Sequence, residues 1–397
     1  MDNLSSNVLP DGVQAKAQKD LSLGVYVHVP FCASTCGFCA FYQETPVRKD
    51  LLNFLQTIRQ EFESSTHIRE VETAFWGGGT PGILPAKDLE ALGKSQIQAL
   101  GTPSTEWSIE LAPSTVKPDK LQALRDLGFN RISLGVQSFD DQMLEKLERR
   151  QSSQMALNAY DMVRDAGFEN VNIDLMFSVP GQTEAQWLQD LEKVRQLAPE
   201  HVSTYCLTFE EDTSLYTKLS QGKIQRDPEQ EAAFYELTWE TLDGMGLHQY
   251  EISNFARPGH ECLHNLNTWR MHEWIGFGPS ASSQYQNRRY TNDANLESWS
   301  EGIEKNQPAY MDESVLSTQE LAIDSLIFGL RMNQGVHLPS LEERFGTNLH
   351  IPSIQTQLDY WVEEDIATQQ NSTYALTLQG RLLADHLASQ LMDLIHD

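Results

Sequence analysis

LGVYVHVPFCASTCGFC, residues 23–39, joins an apolar, β-branched run to three closely spaced cysteines. Cys32, Cys36 and Cys39 fall within eight residues, and thiolates are ligands for iron–sulfur clusters, zinc or copper(I). A closed structural zinc site needs four ligands, and the only other nearby candidate is His28, inside the strand pattern. Three thiolates can instead hold three irons of a four-iron cluster and leave the fourth iron open for chemistry. We therefore predict a [4Fe-4S] cluster on this loop.

Length and charge restrict the class of protein. A chain of 397 residues can form one large α/β domain and a smaller one. The net charge of -27 argues against a nucleic acid or an anionic membrane as partner. No apolar run reaches the roughly 18 residues of a spanning helix, and the start of the chain lacks the pattern of a signal peptide. Five cysteines, three of them clustered, make a poor disulfide framework. We predict a cytoplasmic protein with a flexible tail over residues 1–20.

Short β-branched runs alternate with helical periodicity from Leu23 to about Glu210. Between the runs, apolar residues three and four apart predict helices, as in residues 50–63 and 118–127. Six βα units in series predict a parallel sheet covered by helices, and periodicity alone fits an open doubly wound sheet equally well. The predicted strands are residues 23–29, 71–76, 107–112, 131–136, 171–177 and 201–209.

Residues that a scaffold does not require occur at the end of each predicted strand. The first strand runs into the cysteine loop, the second into GGGTP at residues 77–81, and the sixth carries Cys206. The third, fourth and fifth strands lead to Glu110, Gln137 and Asp174. Such residues at the carboxyl ends of parallel strands are typical of a barrel active site. They favour a partial (β/α)6 barrel over the open sheet.

These strand-end residues also predict how a ligand is held. Consecutive glycines in residues 77–81 allow close approach of the backbone and turn its amides toward a ligand. They would receive an amino-acid end whose amine and carboxylate chelate the open iron. Glu110 and Asp174 would accept hydrogen bonds from ribose hydroxyls or an ammonium group, Arg149 would offset a carboxylate, and Gln137 can donate and accept.

Past residue 225 the βα repeat stops. A helix near residues 231–245 precedes a segment rich in His, Trp, Asn and Gly that runs to residue 283. From residue 318, helical stripes and one short hairpin predict a small winged-helix-like α+β domain. We therefore expect a barrel over residues 21–225, a bridging segment over 226–310 and a C-terminal domain over 311–397.

At these residues the chain resembles the radical S-adenosylmethionine superfamily. YVHVPFCASTCGFC matches its CxxxCxxC signature, and WGGGTPGIL matches its glycine motif. GVQSFDDQMLEKLERR, NIDLMFSVPGQT and YEISNFARPGHECLHNLNTW are similar to the group of oxygen-independent coproporphyrinogen III oxidases and HemW-type heme chaperones. The resemblance runs from about Leu23 into the C-terminal domain.

The resemblance implies a [4Fe-4S] cluster, S-adenosylmethionine and an electron donor such as flavodoxin or ferredoxin. Chelation beside a low-potential cluster would allow reductive cleavage to methionine and a 5′-deoxyadenosyl radical. At the position of Cys206 the family usually has alanine, and we interpret this cysteine as a small buried apolar residue. The positions that the resemblance assigns to S-adenosylmethionine are Tyr26, Phe38, Gly78, Gly79, Thr80, Glu110, Gln137, Arg149 and Asp174.

Two features separate the oxidases from the chaperones. The oxidase resemblance implies a further cysteine two places after the third ligand, where this chain has Phe41, and a longer lead than the 31 residues before Cys32. Both features favour a heme chaperone with heme and a heme-acceptor protein as partners. The alternatives are oxidative decarboxylation of coproporphyrinogen and a radical enzyme that modifies heme itself.

HNLNTW, residues 264–269, resembles the HNxxYW motif associated with heme binding in this group, with Thr268 in the place of tyrosine. The resemblance makes His264 the candidate iron ligand and includes Asn265 and Trp269 in the heme site. The alternative for His264 is a hydrogen-bonded histidine that only supports the fold. Other ligands that the sequence allows nearby are His260, Cys262 and His272.

Overall fold

The structure is a computed structural model that describes residues 22–65, 68–349 and 351–396. The tail predicted over residues 1–20 lies outside the described residues. In the described part, six parallel strands lie side by side in sequence order. They are β1 (Leu23–Val29), β2 (Thr73–Gly78), β3 (Glu106–Leu111), β4 (Arg131–Gln137), β5 (Asn170–Phe177) and β6 (His201–Cys206).

Helices cover the outer face of these strands. Because side chains alternate across a strand, Val25 and Val27 are buried in the main hydrophobic core, whereas Tyr26 and His28 point into the lumen and line a cavity there. The helices between the strands are α1 (Arg48–Ser64), α2 (Ala86–Leu100), α3 (Pro118–Leu127), α4 (Asp141–Lys146), α5 (Ser153–Asp165) and α6 (Glu184–Leu197).

The sixth strand is shorter than predicted. The apolar pattern predicts a strand to residue 209, but β6 ends at Cys206. Leu207 still donates its amide to the carbonyl oxygen of Phe177 at 3.0 Å. Its side chain, together with Phe209, packs into a small separate cluster with Met143. The apolar pattern continues past the end of β6 because Leu207 and Phe209 pack into this separate cluster, outside the sheet.

The sheet extends beyond the barrel strands on both sides. In the described part it has twelve strands, with β9 parallel to β1 and β8 antiparallel to β6. Since β1 and β6 pair with these added strands and not with each other, the barrel is only partly closed. The added strands are β7 (His248–Glu251), β8 (Asn254–Ala256), β9 (Glu273–Phe277), β10 (Ser282–Tyr285), β11 (Arg288–Asn292) and β12 (Tyr310–Val315). The helices among them are α7 (Ser214–Ser220), α8 (Pro228–Asp243), α9 (Leu263–Trp269) and α10 (Leu296–Glu304).

The C-terminal residues form a second hydrophobic core around Leu326, Leu358 and Trp361. A small antiparallel sheet of order β13–β15–β14 packs with helices there, which confirms the predicted α+β domain. The domain boundaries at residues 225 and 310 stay predictions. Its elements are α11 (Thr318–Gly329), β13 (Val336–His337), α12 (Leu338–Phe345), α13 (Pro352–Glu363), β14 (Ala367–Gln370), β15 (Thr373–Leu376), α14 (Leu378–Leu382) and α15 (Ala384–His396).

No helix among the described residues combines the length and the apolar character that crossing a membrane requires.

Candidate functional site

The cysteine loop follows β1 at its carboxyl end and is held by backbone hydrogen bonds. Cys32 donates its amide to Glu44 O at 3.0 Å, and Glu44 donates to Pro30 O at 2.6 Å. Gly37, in the middle of the loop, donates to Leu147 O at 3.0 Å. These bonds connect the loop to segments on both sides, so the protein fold itself positions the loop.

Two of the three thiols contact polar groups of other segments, a hydroxyl group and a guanidinium group. Cys32 Sγ lies 3.3 Å from Thr80 Oγ1, and Arg149 Nη1 donates to Cys36 Sγ at 3.1 Å. Burial is the main cause that raises the pKa of Cys32 and of Cys39. Because a metal binds the thiolate form, loading of the site would release protons. Arg149 Nε is buried and has no partner among the described residues.

The arrangement fits a cluster better than zinc. His28, the fourth ligand that the zinc alternative requires, has both ring nitrogens engaged: Nε2 donates to Tyr42 O at 3.3 Å, and Nδ1 lies 3.3 Å from Tyr26 OH. No three His, Cys, Asp or Glu side chains of the described ranges are arranged to hold a metal ion. In a four-iron cluster each of three thiolates takes its own iron, so the thiols need not converge on one point. The three cysteines therefore fit the cluster.

The glycine run after β2 lies directly against the cysteine loop. A Cβ atom at Gly79 would lie 2.7 Å from Phe31 O, so only glycine permits this approach. Gly78 has a φ of 103°, which also favours glycine. The amides of Gly78, Gly79 and Thr80 donate to the Glu110 carboxylate and to two backbone carbonyls of the first strand and loop. The expectation that these amides turn toward a ligand is therefore wrong, because they are already used inside the protein.

Two carboxyl groups face the lumen behind the glycine run. Desolvation, followed by the charge of Asp174, raises the pKa of Glu110 to about 8. Burial likewise raises the pKa of Asp174, although that carboxylate accepts from Ser133 Oγ at 2.9 Å and Asn172 Nδ2 at 2.8 Å. Two desolvated carboxyl groups, of which Asp174 is only partly compensated by the charge of Arg131, favour a positively charged ligand. The sulfonium and ammonium groups of S-adenosylmethionine have this charge.

We expect the affinity for S-adenosylmethionine to rise with pH through about 8, because Glu110 ionises there. Below that pKa, binding of a cation must first remove a proton, which costs up to about tenfold in affinity per pH unit. Equilibrium binding to cluster-loaded, oxygen-free protein between pH 6 and 9 measures the slope. Glu110→Gln should bind more weakly with a flatter profile, and a slope that persists in this variant would assign the titration to another group.

The other positions predicted to bind S-adenosylmethionine have different surroundings in the structure. Gln137 ends β4 with a φ of 68°, where the β4–β5 register shifts between Gly135 and Gln137. Arg149 also donates to Gly135 O at 2.8 Å, so the guanidinium bridges this strand end and the cysteine loop. Phe38 packs into the small cluster with Met143 and Leu147 and is not among the cavity-lining residues. Tyr26 faces the lumen, and the contact of Phe38 with S-adenosylmethionine stays a prediction.

One cavity of about 700 Å³ connects the two predicted sites. Its lining begins near the cysteine loop at Phe41 and Tyr42 and reaches Trp269 on α9. Predicted residues that line it are Tyr26, Glu110, Asp174, His264, Asn265 and Trp269. The structure thus brings members of both predicted sites to one continuous space.

His264 lies at the opposite end of the barrel from the cysteines. Its Nδ1 lies 3.0 Å from Thr73 Oγ1, on the first residue of β2, and its ring stacks on Phe75 with centroids 5.5 Å apart. Glu106, the first residue of β3, accepts from the amides of Leu263 at 3.0 Å and His264 at 3.2 Å. The amino ends of the strands therefore anchor the start of α9.

The electrostatics of His264 suit a metal ligand. Desolvation lowers its pKa to about 4, so the ring is neutral at pH 7. Since Nδ1 is paired with Thr73, Nε2 is the nitrogen left to meet a metal from the cavity. His264 is thus both a hydrogen-bonded histidine and a side chain that fits heme iron.

The alternative ligands fit less well. Cys262 is buried, its thiol donates to Glu106 at 3.4 Å, and burial raises its pKa. His260 and His272 are not among the residues that line the cavity. His264 is therefore the best placed of the four.

Sequence reasoning did not identify Thr73, Phe75 or Glu106 as part of this site. All three lie on strands and face the lumen, and alternation along β2 and β3 marks them only as inward-facing positions. Their partner on α9 is more than 150 residues away in the chain. No local pattern signals such a contact.

A partial parallel barrel with a three-cysteine loop after its first strand and buried carboxyl groups behind it defines the class of radical S-adenosylmethionine proteins. The family model of the Radical SAM superfamily matches residues 26–194. The solved structure of coproporphyrinogen III oxidase (HemN) from Escherichia coli is similar to this chain with a TM-score of 0.83. That similarity covers 96% of this chain and 92% of that one at 23% identity, and it shows the fold.

Curated relatives narrow the class. The heme chaperone HemW of Bacillus subtilis is 32% identical over 91% of this chain and 97% of its own length. The heme chaperone HemW of Synechocystis is 34% identical over 80% of this chain and 81% of its own length. The mitochondrial radical S-adenosyl methionine domain-containing protein 1 of Bos taurus is 30% identical over 94% of this chain and 85% of its own length. The chain belongs to the HemW family of the radical SAM superfamily.

Proposed function

We propose that this protein is a heme chaperone, which binds heme together with a [4Fe-4S] cluster and S-adenosylmethionine and transfers the heme to an acceptor protein. Relatives that cover most of the chain are named heme chaperones. The observation that carries the proposal is the neutral His264 ring, with Nδ1 paired to Thr73 and the ring on the cavity wall.

The chain supplies defined groups for each cofactor. Cys32, Cys36 and Cys39 would hold the cluster, with Arg149 beside Cys36 to offset its negative charge. The residues that would surround S-adenosylmethionine are Tyr26, Phe38, Gly78, Gly79, Thr80, Glu110, Gln137, Arg149 and Asp174. When bound, a cluster of this type supplies an electron at low potential for reductive cleavage of that ligand. An electron donor such as flavodoxin or ferredoxin and a cytoplasmic location belong to the same proposal.

Phe41 argues against decarboxylation of coproporphyrinogen. It occupies the position of the further cysteine implied for the oxidases, and 72% of its surface is exposed at the entrance of the cavity. A phenyl ring cannot act as a thiol in ligation or hydrogen transfer. The alternative functions, porphyrinogen oxidase and heme-modifying radical enzyme, are therefore left as outcomes of the test.

We expect cluster-loaded, oxygen-free protein to bind heme near one per chain and to pass it to an apo heme protein. Absorption titration measures binding, and gel filtration separates donor from acceptor after transfer. The same preparation, with a reductant and S-adenosylmethionine, should release no carbon dioxide from coproporphyrinogen. Steady decarboxylation would overturn the chaperone function, and conversion of the heme to a new pigment would favour the heme-modifying enzyme.

A further inference from the structure

Two cationic side chains of the described chain line the cavity, Arg131 and Arg331. Arg131 is wholly buried at the amino end of β4, and its Nη1 donates to Asn170 Oδ1 at 2.8 Å and to His260 O at 3.2 Å. The buried carboxylate of Glu106 contributes to the raised pKa of Arg131, so its charge is already compensated inside the protein. Arg331 is less buried, and the ion pair found for it among the described residues is with the exposed Asp385.

Arg331 follows α11 and has spare capacity to bind a carboxylate. Its guanidinium carbon lies 5.1 Å from the centre of the Trp269 ring. Nη1 pairs with Asp385, a side chain that is 91% exposed, and such exposed ion pairs contribute little. Nε is buried and has no hydrogen-bond partner among the described residues. The guanidinium group is held against the indole ring and has an unused buried N–H. It can therefore donate hydrogen bonds to a carboxylate of a ligand.

The spacing along α9 suits a tetrapyrrole. Trp269 comes five residues after His264 on this helix, which is about 7.5 Å along the axis. Arg331 lies over Trp269, and its side chain lines the same cavity as Trp269 and His264. A macrocycle that occupies this cavity with its iron on His264 can therefore present an edge carboxylate to Arg331.

The charges in the cavity also orient such a ligand. Glu110 and Asp174 line the part of the cavity toward the cysteine loop, and an anionic substituent directed there would be repelled once these carboxyl groups ionise. Glu251 also lines the cavity near Arg331, but it already accepts from Ser253 N at 3.2 Å and from Asn254 Nδ2. Carboxylates of the ligand would therefore turn toward Arg331.

We infer that Arg331 binds a propionate carboxylate of the heme whose iron His264 holds. This inference rests on the proposed heme chaperone function and assigns a residue of the C-terminal domain to the heme site. Arg331 would then select tetrapyrroles that carry free carboxylates.

The test compares hemin with hemin dimethyl ester, in which both propionates are esterified. Wild-type protein should bind hemin about tenfold to a hundredfold more tightly than the ester, since hydrogen bonds to charged groups contribute that much. Arg331→Gln should lose this difference: its hemin affinity should fall to that of the ester, and its ester affinity should stay unchanged. Absorption titration gives both dissociation constants and the position of the Soret band, which reports on iron ligation.

Arg381→Gln is the matched control. Arg381 also lies over a tryptophan, Trp239, at 5.7 Å and also has a buried Nε without a partner among the described residues, but it does not line the cavity. Its replacement should leave hemin binding unchanged. Asp385→Asn should not weaken hemin binding, because it only frees the guanidinium.

Equal binding of hemin and its ester by wild-type protein would overturn the assignment even if the variant failed to fold. Equal weakening of both ligands by Arg331→Gln would overturn it as well, since the residue would then act on the fold. In either case a heme-bound wild type with an intact Soret band would leave the chaperone function standing. Failure of wild-type protein to bind either ligand would instead contradict the proposed function.

Discussion

Cys36→Ser is expected to remove the [4Fe-4S] cluster. The loop offers three thiolates to three irons, and serine is a much harder and weaker ligand for them. Arg149 Nη1 would also lose the sulfur that it contacts at 3.1 Å. Iron and acid-labile sulfide should fall from about four per chain to background, together with the visible absorption of the cluster. Binding of S-adenosylmethionine should fall with it, because the open iron is its anchor.

Cys206→Ser is the matched control for this loss. Cys206 is also a free, partly buried thiol at the end of a barrel strand, and burial raises its pKa to about 11, so the thiol is protonated and unreactive. We expect this variant to keep a full cluster. A full cluster in Cys36→Ser would contradict our assignment of the ligands, and zinc in the wild type after reconstitution would contradict the cluster itself.

His264→Ala is expected to reduce heme affinity by about a hundredfold or more. Loss of partners that only orient a metal ligand costs about tenfold to a hundredfold, and removal of the ligand itself should cost at least as much. The Soret band should shift to that of heme without this axial imidazole. Thr73→Val, which removes the partner of Nδ1, should cause a smaller loss because the ring can then change tautomer and orientation.

His272→Ala controls for the loss of a histidine near α9. Desolvation lowers the pKa of His272 to about 3, so it is neutral like His264, but it does not line the cavity. We expect its heme spectrum to match the wild type. An unchanged spectrum and affinity in His264→Ala would show that the iron is held elsewhere, and thermal unfolding of each variant checks that the barrel remains intact.

Local sequence patterns predicted much of the barrel. The strand from Leu23 to Val29 was predicted at the bounds that the structure shows, and the helix over residues 118–127 likewise matches α3. Both have strong apolar periodicity against one large core. The sequence also predicted that Cys32 lies at the carboxyl end of β1, because the cysteine loop directly follows this buried strand.

Predictions that depended on distant contacts were less successful. Phe38 packs against the cluster that contains Met143 and Leu147, a contact that its local sequence did not signal. The bridging segment over residues 226–310 showed no βα repeat, yet β9 within it pairs with β1. β9 is only five residues long, and its partner strand lies 250 residues earlier in the chain, with Leu23 opposite Glu273, so no local pattern signalled the pairing.

By itself, the sequence determined the βα order, the three-thiol loop and the side chains available at each strand end, because these depend on neighbours within a few residues. Only the tertiary structure decided that His264 lies at the amino end of the barrel, that Thr73 holds its Nδ1, and that Arg331 reaches the same cavity. The reason is physical: a partly closed sheet brings together residues that are far apart in the chain. Which nitrogen of a histidine, or which N–H of an arginine, remains available to bind a ligand depends on the residues that it contacts in the folded chain.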